Sequence, residues 1–499
     1  MNHSEEADES ATASTAAGPW YREMNGYHWF VFIVAALGWM LDCFDQQIFL
    51  MARQPAMTDL LVSEDGQTPF GRLASFFDSE STEPEASPLM TARPDGSFAP
   101  TLAVVNEYGG YSISVFLMGW GIGGLIFGVM GDRIGRAKTM MLTILMYSIF
   151  TGLSALSTSF WDFVVYRFLT GMGVGGEFAV GVALVAEVMP DRARPYTLAL
   201  LQSLSAVGNI SAAFVSMGMG VMVAEQRVES FWRPMFVIGA VPAVLALVVR
   251  FWLKEPERWQ RASHEGETAQ KLGSYRELFS HPTWRKHALL GLGLAFSGIV
   301  GLWGIGFFVF DLVADIFRDE FVARGLEGDQ LTGEIAKWRG YASMAMNIGA
   351  AFGMFGFAVL AQRMGRKPTF AVCFIAALIS TAGTFYFLKE FHQVFWMIPL
   401  MGFCILSLFA GYAVYFPELF PTHLRSTGTS FCYNVGRFVA ASGSALTGLL
   451  IALYAGAAET TGDAAAPMRL AGLTMCGIFI LGLMVLPFCP ETKGRPLPE

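Results

Sequence analysis

Charge is what this 499-residue chain has least of: charged residues make up 15% of it, against 54% hydrophobic residues. Soluble domains run nearer a quarter charged, so the deficit points away from a soluble protein and toward a polytopic membrane one. Cysteine is also sparse. The six are Cys43, Cys373, Cys404, Cys432, Cys476 and Cys489. None forms a CxxC pair and all lie in or beside apolar runs, which speaks against a zinc site or a disulfide framework. Apart from His28 and His287 at span edges, no histidine falls inside an apolar run, so a histidine proton relay is not expected. Residues 1–26 carry no basic segment ahead of a short apolar core and do not read as a secretory signal. The net charge of −8 owes much to this tail and the first loop, and does not suggest a nucleic-acid partner. No metal cluster, nucleophile–base motif or cofactor site is evident, so the chain does not read as an enzyme.

What the chain has is long apolar runs. Twelve of spanning length fall near 27–51, 108–130, 139–158, 161–188, 196–224, 231–253, 287–310, 340–360, 369–388, 394–416, 427–454 and 468–488. Each must be helical, because backbone groups in lipid need internal partners. Lys and Arg gather in the segments that are cytoplasmic if the N-terminus is, so both termini are expected inside and the protein in the plasma membrane. The expected organisation has a disordered cytoplasmic tail (1–26) and a first six-helix half (27–253) carrying a long external loop (52–107). A basic cytoplasmic linker (254–286), a second six-helix half (287–488) and a short cytoplasmic tail (489–499) follow.

The halves repeat. "GDRIGRAK" (131–138) after span 2 is matched by "AQRMGRKP" (361–368) after span 8, and "AEVMPDRARP" (186–195) after span 4 by "PELFPTHLRS" (417–426) after span 10. Glu187, Pro190 and Arg194 thereby map onto Glu418, Pro421 and Arg425. Paired six-span halves suggest a transporter with its site between them. At these residues the chain resembles the major facilitator superfamily. "YRFLTGMGVGGEF" (166–178), "KEPERW" (254–259), "PELFPTHLRSTG" (417–428) and "PETKGR" (490–495) resemble motifs of its sugar and organic-acid porters. The resemblance spans all twelve runs. It implies an all-α membrane protein with twelve transmembrane helices in two pseudo-symmetric six-helix halves, working by alternating access as a functional monomer. In the second half Gln362 stands where the first has Asp132. "LDCFD" and "GGEF" look more like the aromatic-acid and other organic-acid porters than the sugar porters.

Charge inside a span is expensive, so each intramembrane ionisable group is a functional candidate: Asp42, Asp45, Arg167, Glu177 and Arg437. Asp42 and Asp45 are three apart and share a helix face, where two carboxylates in low dielectric resist joint ionisation. Arg167, early in span 4, and Asp45, in the outer half of span 1, fall at similar depth. In similar sugar porters the span 1 Asp takes a proton and pairs with the span 4 Arg; a static ion pair is the alternative reading. Asp42 has a position but no clear partner, and Glu177 reads as a second proton site or a structural partner. A fixed cation at Arg437 suits a carboxylate, and similar organic-anion porters use this Arg for substrate; pairing with Glu177 or a backbone carbonyl is the alternative. Asn434, Tyr433 and Trp303 are placed beside it as substrate-binding candidates.

Asp132, Arg133, Arg136, Glu187, Arg194, Arg363, Arg366, Glu418 and Arg425 map to cytoplasmic helix ends. In the family such groups form salt bridges that hold the inner gate closed. The glycine strings "GWGIGGLIFG" (119–128) and "GMGVGG" (171–176) read as close-packing surfaces and not as nucleotide loops. The expected function is proton symport of a small organic acid, with the bilayer, protons and that solute as partners. A sugar or polyol symporter is the alternative, followed by an antiporter and a transporter-like nutrient sensor.

Overall fold

The computed structural model describes residues 19–77, 90–94, 96–224, 232–264, 271–440, 449–457, 460, 463 and 465–499. Most of the expected N-terminal tail, parts of the first loop and linker, and residues 441–448 of span 11 lie outside the described residues. The elements are almost all helical. Span 1 is α1 (Gly26–Leu60), opened by Asn25, whose side chain accepts from the His28 backbone at 2.9 Å. This cap satisfies one of the orphan N–H groups of a helix start. The helix runs nine residues past the expected end, through Pro55. The expected loop 52–107 is therefore partly structured. It holds the end of α1, a short helix α2 (Pro69–Phe77), a hairpin of β1 (Met90–Ala92) and β2 (Phe98–Pro100), and the start of α3 (Leu102–Arg133).

Spans 3 to 6 follow as α4 (Arg136–Ser154), α5 (Phe160–Val188), α6 (Arg194–Ala224) and the pair α7 (Trp232–Gly239) and α8 (Ala243–Trp252). Span 6 breaks at Ala240–Pro242, where proline cannot donate to the ladder. The linker carries α9 (Glu257–His264) and α10 (Tyr275–Ser280). Span 7 begins as α11 (Pro282–Val300), passes through a π turn (Gly301–Ile305) and a 3₁₀ turn (Gly306–Phe308), and continues as α12 (Val309–Ala323). Spans 8 to 12 are α13 (Gly328–Met364), α14 (Arg366–Phe387), α15 (Phe391–Leu419), α16 (Arg425–Ala440, the described part of span 11) and the pair α17 (Ala466–Met475) and α18 (Ile478–Val485). Among the described residues nine helical stretches are long and apolar enough to cross a membrane. The α4 helix, the α7–α8 pair and α16 complete the twelve.

Each half packs around one helix pair, α3 on α5 in the first and α13 on α15 in the second. The halves meet through α3 on α16 and through α13 on α6, which the repeat makes equivalent contacts. The glycine strings explain how closely these helices approach. A Cβ on Gly119, Gly123, Gly171 or Gly175 would collide with backbone across α3 and α5. On another face of α3, Gly121, Gly124, Gly128 and Gly131 stand against Phe438, Asn434, Ser430 and Ser426 of α16. Missing side chains thus let the two halves meet backbone against side chain, the small-residue mode of membrane helices.

Candidate functional site

Between α1, α4, α5 and α7 lies the first buried charge cluster. Arg167 on α5 and Asp45 on α1 are both fully buried and 3.9 Å apart, Nη1 to Oδ2. That is the upper limit of an ion pair, and neither Asp45 oxygen accepts a hydrogen bond among the described residues. Arg167 is held elsewhere. It donates to Ser154 Oγ at 2.7 and 3.0 Å, Thr170 Oγ1 at 3.1 Å, Thr151 Oγ1 at 3.3 Å and the Phe150 carbonyl at 3.4 Å. Phe236 and Phe49 pack on it with ring centroids at 4.7 and 5.4 Å. Gly239 of α7 keeps this pocket open, since a Cβ there would stand 3.1 Å from Asp45 Oδ1. The guanidinium therefore has fixed neutral acceptors, while its one carboxylate is attached by charge alone.

One turn along α1, Asp42 meets Glu177 of α5. Both are 1% exposed, and the Tyr147 hydroxyl of α4 lies beside them. Gly38 makes the space: its missing side chain is where Glu177 Oε1 sits. The partner that Asp42 lacks in sequence is thus supplied by another helix.

At the seam of the halves, Arg437 of α16 is 2% exposed and has no carboxylate at ion-pairing distance among the described residues. It donates through Nη1 to the Tyr433 carbonyl at 3.0 Å and Asn434 Oδ1 at 3.3 Å. Its flat faces are covered by Trp120, 4.0 Å to the ring centroid, and Tyr433, at 4.5 Å. The alternative of pairing with Glu177 is not what the structure has; pairing with a backbone carbonyl is. Tyr433 stacks on Phe178 at 4.0 Å, Phe178 meets Trp39 at 4.6 Å, and Trp120 meets Trp303 of the π turn at 6.5 Å. Arg437 Nε and the indole nitrogens of Trp39 and Trp120 are buried donors without a partner among the described residues. A donor-rich, ring-walled site whose cation has no carboxylate at ion-pairing distance favours an anion.

At the end of the bundle that bears the basic loops, the halves are tied together. Glu187 Oε1 accepts from Arg136 and from Arg425 of the other half, each at 2.8 Å, with all three side chains fully buried. Arg136 also donates to the Thr422 carbonyl across the seam at 2.7 Å and pairs with Asp132 at 2.9 Å. Asp132 then caps α16, accepting from the backbone of Ser426 at 3.1 Å and Thr427 at 2.8 Å and from Thr427 Oγ1 at 2.6 Å. A carboxylate at a helix N-terminus meets both free N–H groups and the positive end of the dipole. The second half repeats only part of this. Arg366 holds Glu418 at 2.7 and 3.1 Å, both on one half. Three expected members of the salt-bridge set differ. Arg194 pairs with Asp191 in its own turn. Arg133 donates to the Leu272 carbonyl at 3.2 Å. Arg363 forms no ion pair among the described residues, and its carbonyl accepts from Lys493 at 2.8 Å. Arg194 is satisfied locally, by Asp191 and by the Ala186 carbonyl at 2.8 Å, and Arg133 by a carbonyl of the linker, so neither reaches the carboxylates at the seam.

Several residues of these clusters were not singled out in the sequence: Phe178, Ser154, Thr151, Tyr147 and Thr427.

The family model described as "Sugar (and other) transporter" matches residues 24–277 and 292–494. The chain is 28% identical over 482 residues to a probable 4-methylmuconolactone transporter of Cupriavidus pinatubonensis, covering 95% of this chain and 93% of that one. It is 27% identical over 341 residues to the cis,cis-muconate transport protein of Acinetobacter baylyi, covering 68% and 77%. Among solved structures it is similar to the major facilitator proton:xylose symporter XylE of E. coli, with a TM-score of 0.66 at 17% identity over 94% of this chain and 98% of that one.

Proposed function

This chain belongs to the sugar (and other) transporter family, whose members are membrane transporters and not enzymes, and from that premise we propose that it is a proton-coupled symporter of a small organic acid. The observation that carries the reading is Arg437, a buried guanidinium with no acidic partner among the described residues, walled by Trp120 and Tyr433. A buried unpaired charge costs several kcal/mol, so an arriving carboxylate completes the site rather than competing with a resident one. The aromatic walls suit a flat, unsaturated acid, the chemistry named for the muconate and muconolactone relatives. Asn434, Tyr433 and Trp303 orient that solute.

Proton coupling falls to Asp45. Protonation removes the charge that attracts Arg167 without breaking a hydrogen bond to Asp45, and Arg167 keeps its hydroxyl acceptors meanwhile. We assign the basic end to the cytoplasm, with both termini inside, in the plasma membrane of a functional monomer. The halves 27–253 and 287–488 move against each other about the α3–α16 and α6–α13 contacts, and the Asp132–Arg136–Glu187–Arg425 group closes the cytoplasmic side. Arg366 with Glu418 braces the second half there.

Equilibrium binding to the purified protein tests the substrate class. With cis,cis-muconate and nicotinate as anionic probes and xylose as a neutral one, Arg437→Ala is expected to weaken the anions about ten- to a hundredfold and leave xylose unchanged. Arg437→Lys keeps the charge but loses the planar fork, and falls between. Equal loss for all three probes, or xylose binding alone, overturns the acid reading in favour of a sugar.

A further inference from the structure

The carboxyls of Asp42 and Glu177 belong neither to the Asp45–Arg167 couple nor to the Arg437 site. All four of their oxygens are buried, and no donor among the described residues bonds them. Helix α5 brings Glu177 into hydrogen-bonding range of Asp42 on α1, in the space left by Gly38. The Tyr147 hydroxyl on α4, itself buried, faces both. The other ionisable groups nearby are Asp45 on α1, Cys43 on α1 and, within reach of Cys43, Arg437 on α16.

Two ionised carboxylates in contact in a low dielectric repel, and no local cation separates these two. One proton between them turns the repulsion into a hydrogen bond and gives both groups the partner that burial demands. We propose that Asp42 and Glu177 share a proton, forming a second proton-binding site distinct from Asp45, which is emptied and refilled in each transport cycle. This rests on the reading of the protein as a proton-coupled symporter.

The site is wired to the solute cage through the backbone. Phe178, the residue after Glu177, stacks on Tyr433, and Tyr433 covers one face of Arg437. A solute seated on Arg437 would lie against Tyr433, one ring contact and one residue away from Glu177.

Infrared difference spectroscopy across a pH titration of the full chain in detergent reads the shared proton, because a protonated carboxyl has its own carbonyl band. One such band is expected near neutral pH, lost in both Asp42→Asn and Glu177→Gln, where an amide N–H replaces the proton, and retained in Asp45→Asn. Absence of the band in the unaltered protein, or loss in only one of the two variants, overturns the proposal. If either amide variant fails to fold, Tyr147→Phe is expected to shift the same band; an unmoved band overturns the assignment. In proteoliposomes with cis,cis-muconate as the probe, Glu177→Gln is expected to halve the protons moved per muconate. An unchanged ratio overturns the role of the site in the cycle. No muconate flux at all counts against the symporter reading, while the infrared result still decides the shared proton.

Discussion

Asp45 and Arg167 are joined by one contact at 3.9 Å and by no hydrogen bond, which makes their attraction easy to switch. Asp45→Asn fixes the switched-off state. Uptake of labelled muconate into proteoliposomes against its gradient should be abolished, while exchange of labelled for unlabelled muconate at equal concentrations persists; accumulation in the variant would remove Asp45 from coupling. The candidate charges themselves were legible in the sequence, because an ionisable group inside a 25-residue apolar run stands out whatever the fold. Their partners were legible only in part. Arg167 and Asp45 follow from depth along two spans. The contact of Glu177 with Asp42 depends on the missing side chain of Gly38, and one glycine among 54 gives no hint of it.

At the level of elements, the two loops that follow spans 2 and 8 are built alike. Gly135 and Gly365 adopt φ of 114° and 98°, a region that favours glycine, and turn the chain into α4 and α14. A carboxylate from a distant motif then caps each helix: Glu255 of "KEPERW" accepts from Ala137 and Lys138 at 3.2 and 3.1 Å, and Glu491 of "PETKGR" from Arg366 and Lys367 at 2.9 and 3.0 Å. Glu491 shows the balance. Burial raises its carboxyl, but backbone N–H groups of Arg366, Lys493, Lys367 and Thr492 outweigh burial and hold it below the ordinary 4.5. A folded value below the unfolded one means stability that is complete above pH 4.5 and is lost as pH falls through the folded value. Thermal unfolding of Glu491→Gln should therefore lie below the unaltered protein at neutral pH, with the gap closing as the medium becomes more acid than 4.5. The motifs were readable in the sequence; their convergence on one helix end was not, since Gly365 and Glu491 are brought together only by the fold. The extension of α1 through Pro55 was likewise hidden, because proline and polar residues after Met51 read as a loop.

At the scale of the whole molecule, the paired halves were visible as repeated motifs, and the equivalent seams α3–α16 and α6–α13 follow from that repeat. The repeat is broken where it matters: Asp132 caps the opposite half, whereas Gln362 at the equivalent position is no carboxylate. The tie between the halves is therefore asymmetric, and Glu187 is its centre, bonded to an arginine from each half. Glu187→Gln removes the charge that both arginines share. Spin labels on cysteines placed at Ile134 and Met364, exposed positions on opposite halves, should report a larger population with that end apart, measured by pulsed dipolar spectroscopy. An unchanged distance distribution would mean that the α16 cap alone keeps the seam shut.

The seclusion of this cluster has a consequence for the medium in which the protein works. Dissolved ions screen charges over a Debye length of about 8 Å in physiological saline, but only where the solvent reaches. Surface pairs such as Arg72 with Asp65, about half exposed, are subject to it. Arg136, Glu187 and Arg425 are 0% exposed and are not. Salt should therefore weaken the ties between the halves at this end far less than it weakens a surface pair, so that dilute buffer and brine leave this cluster nearly alike.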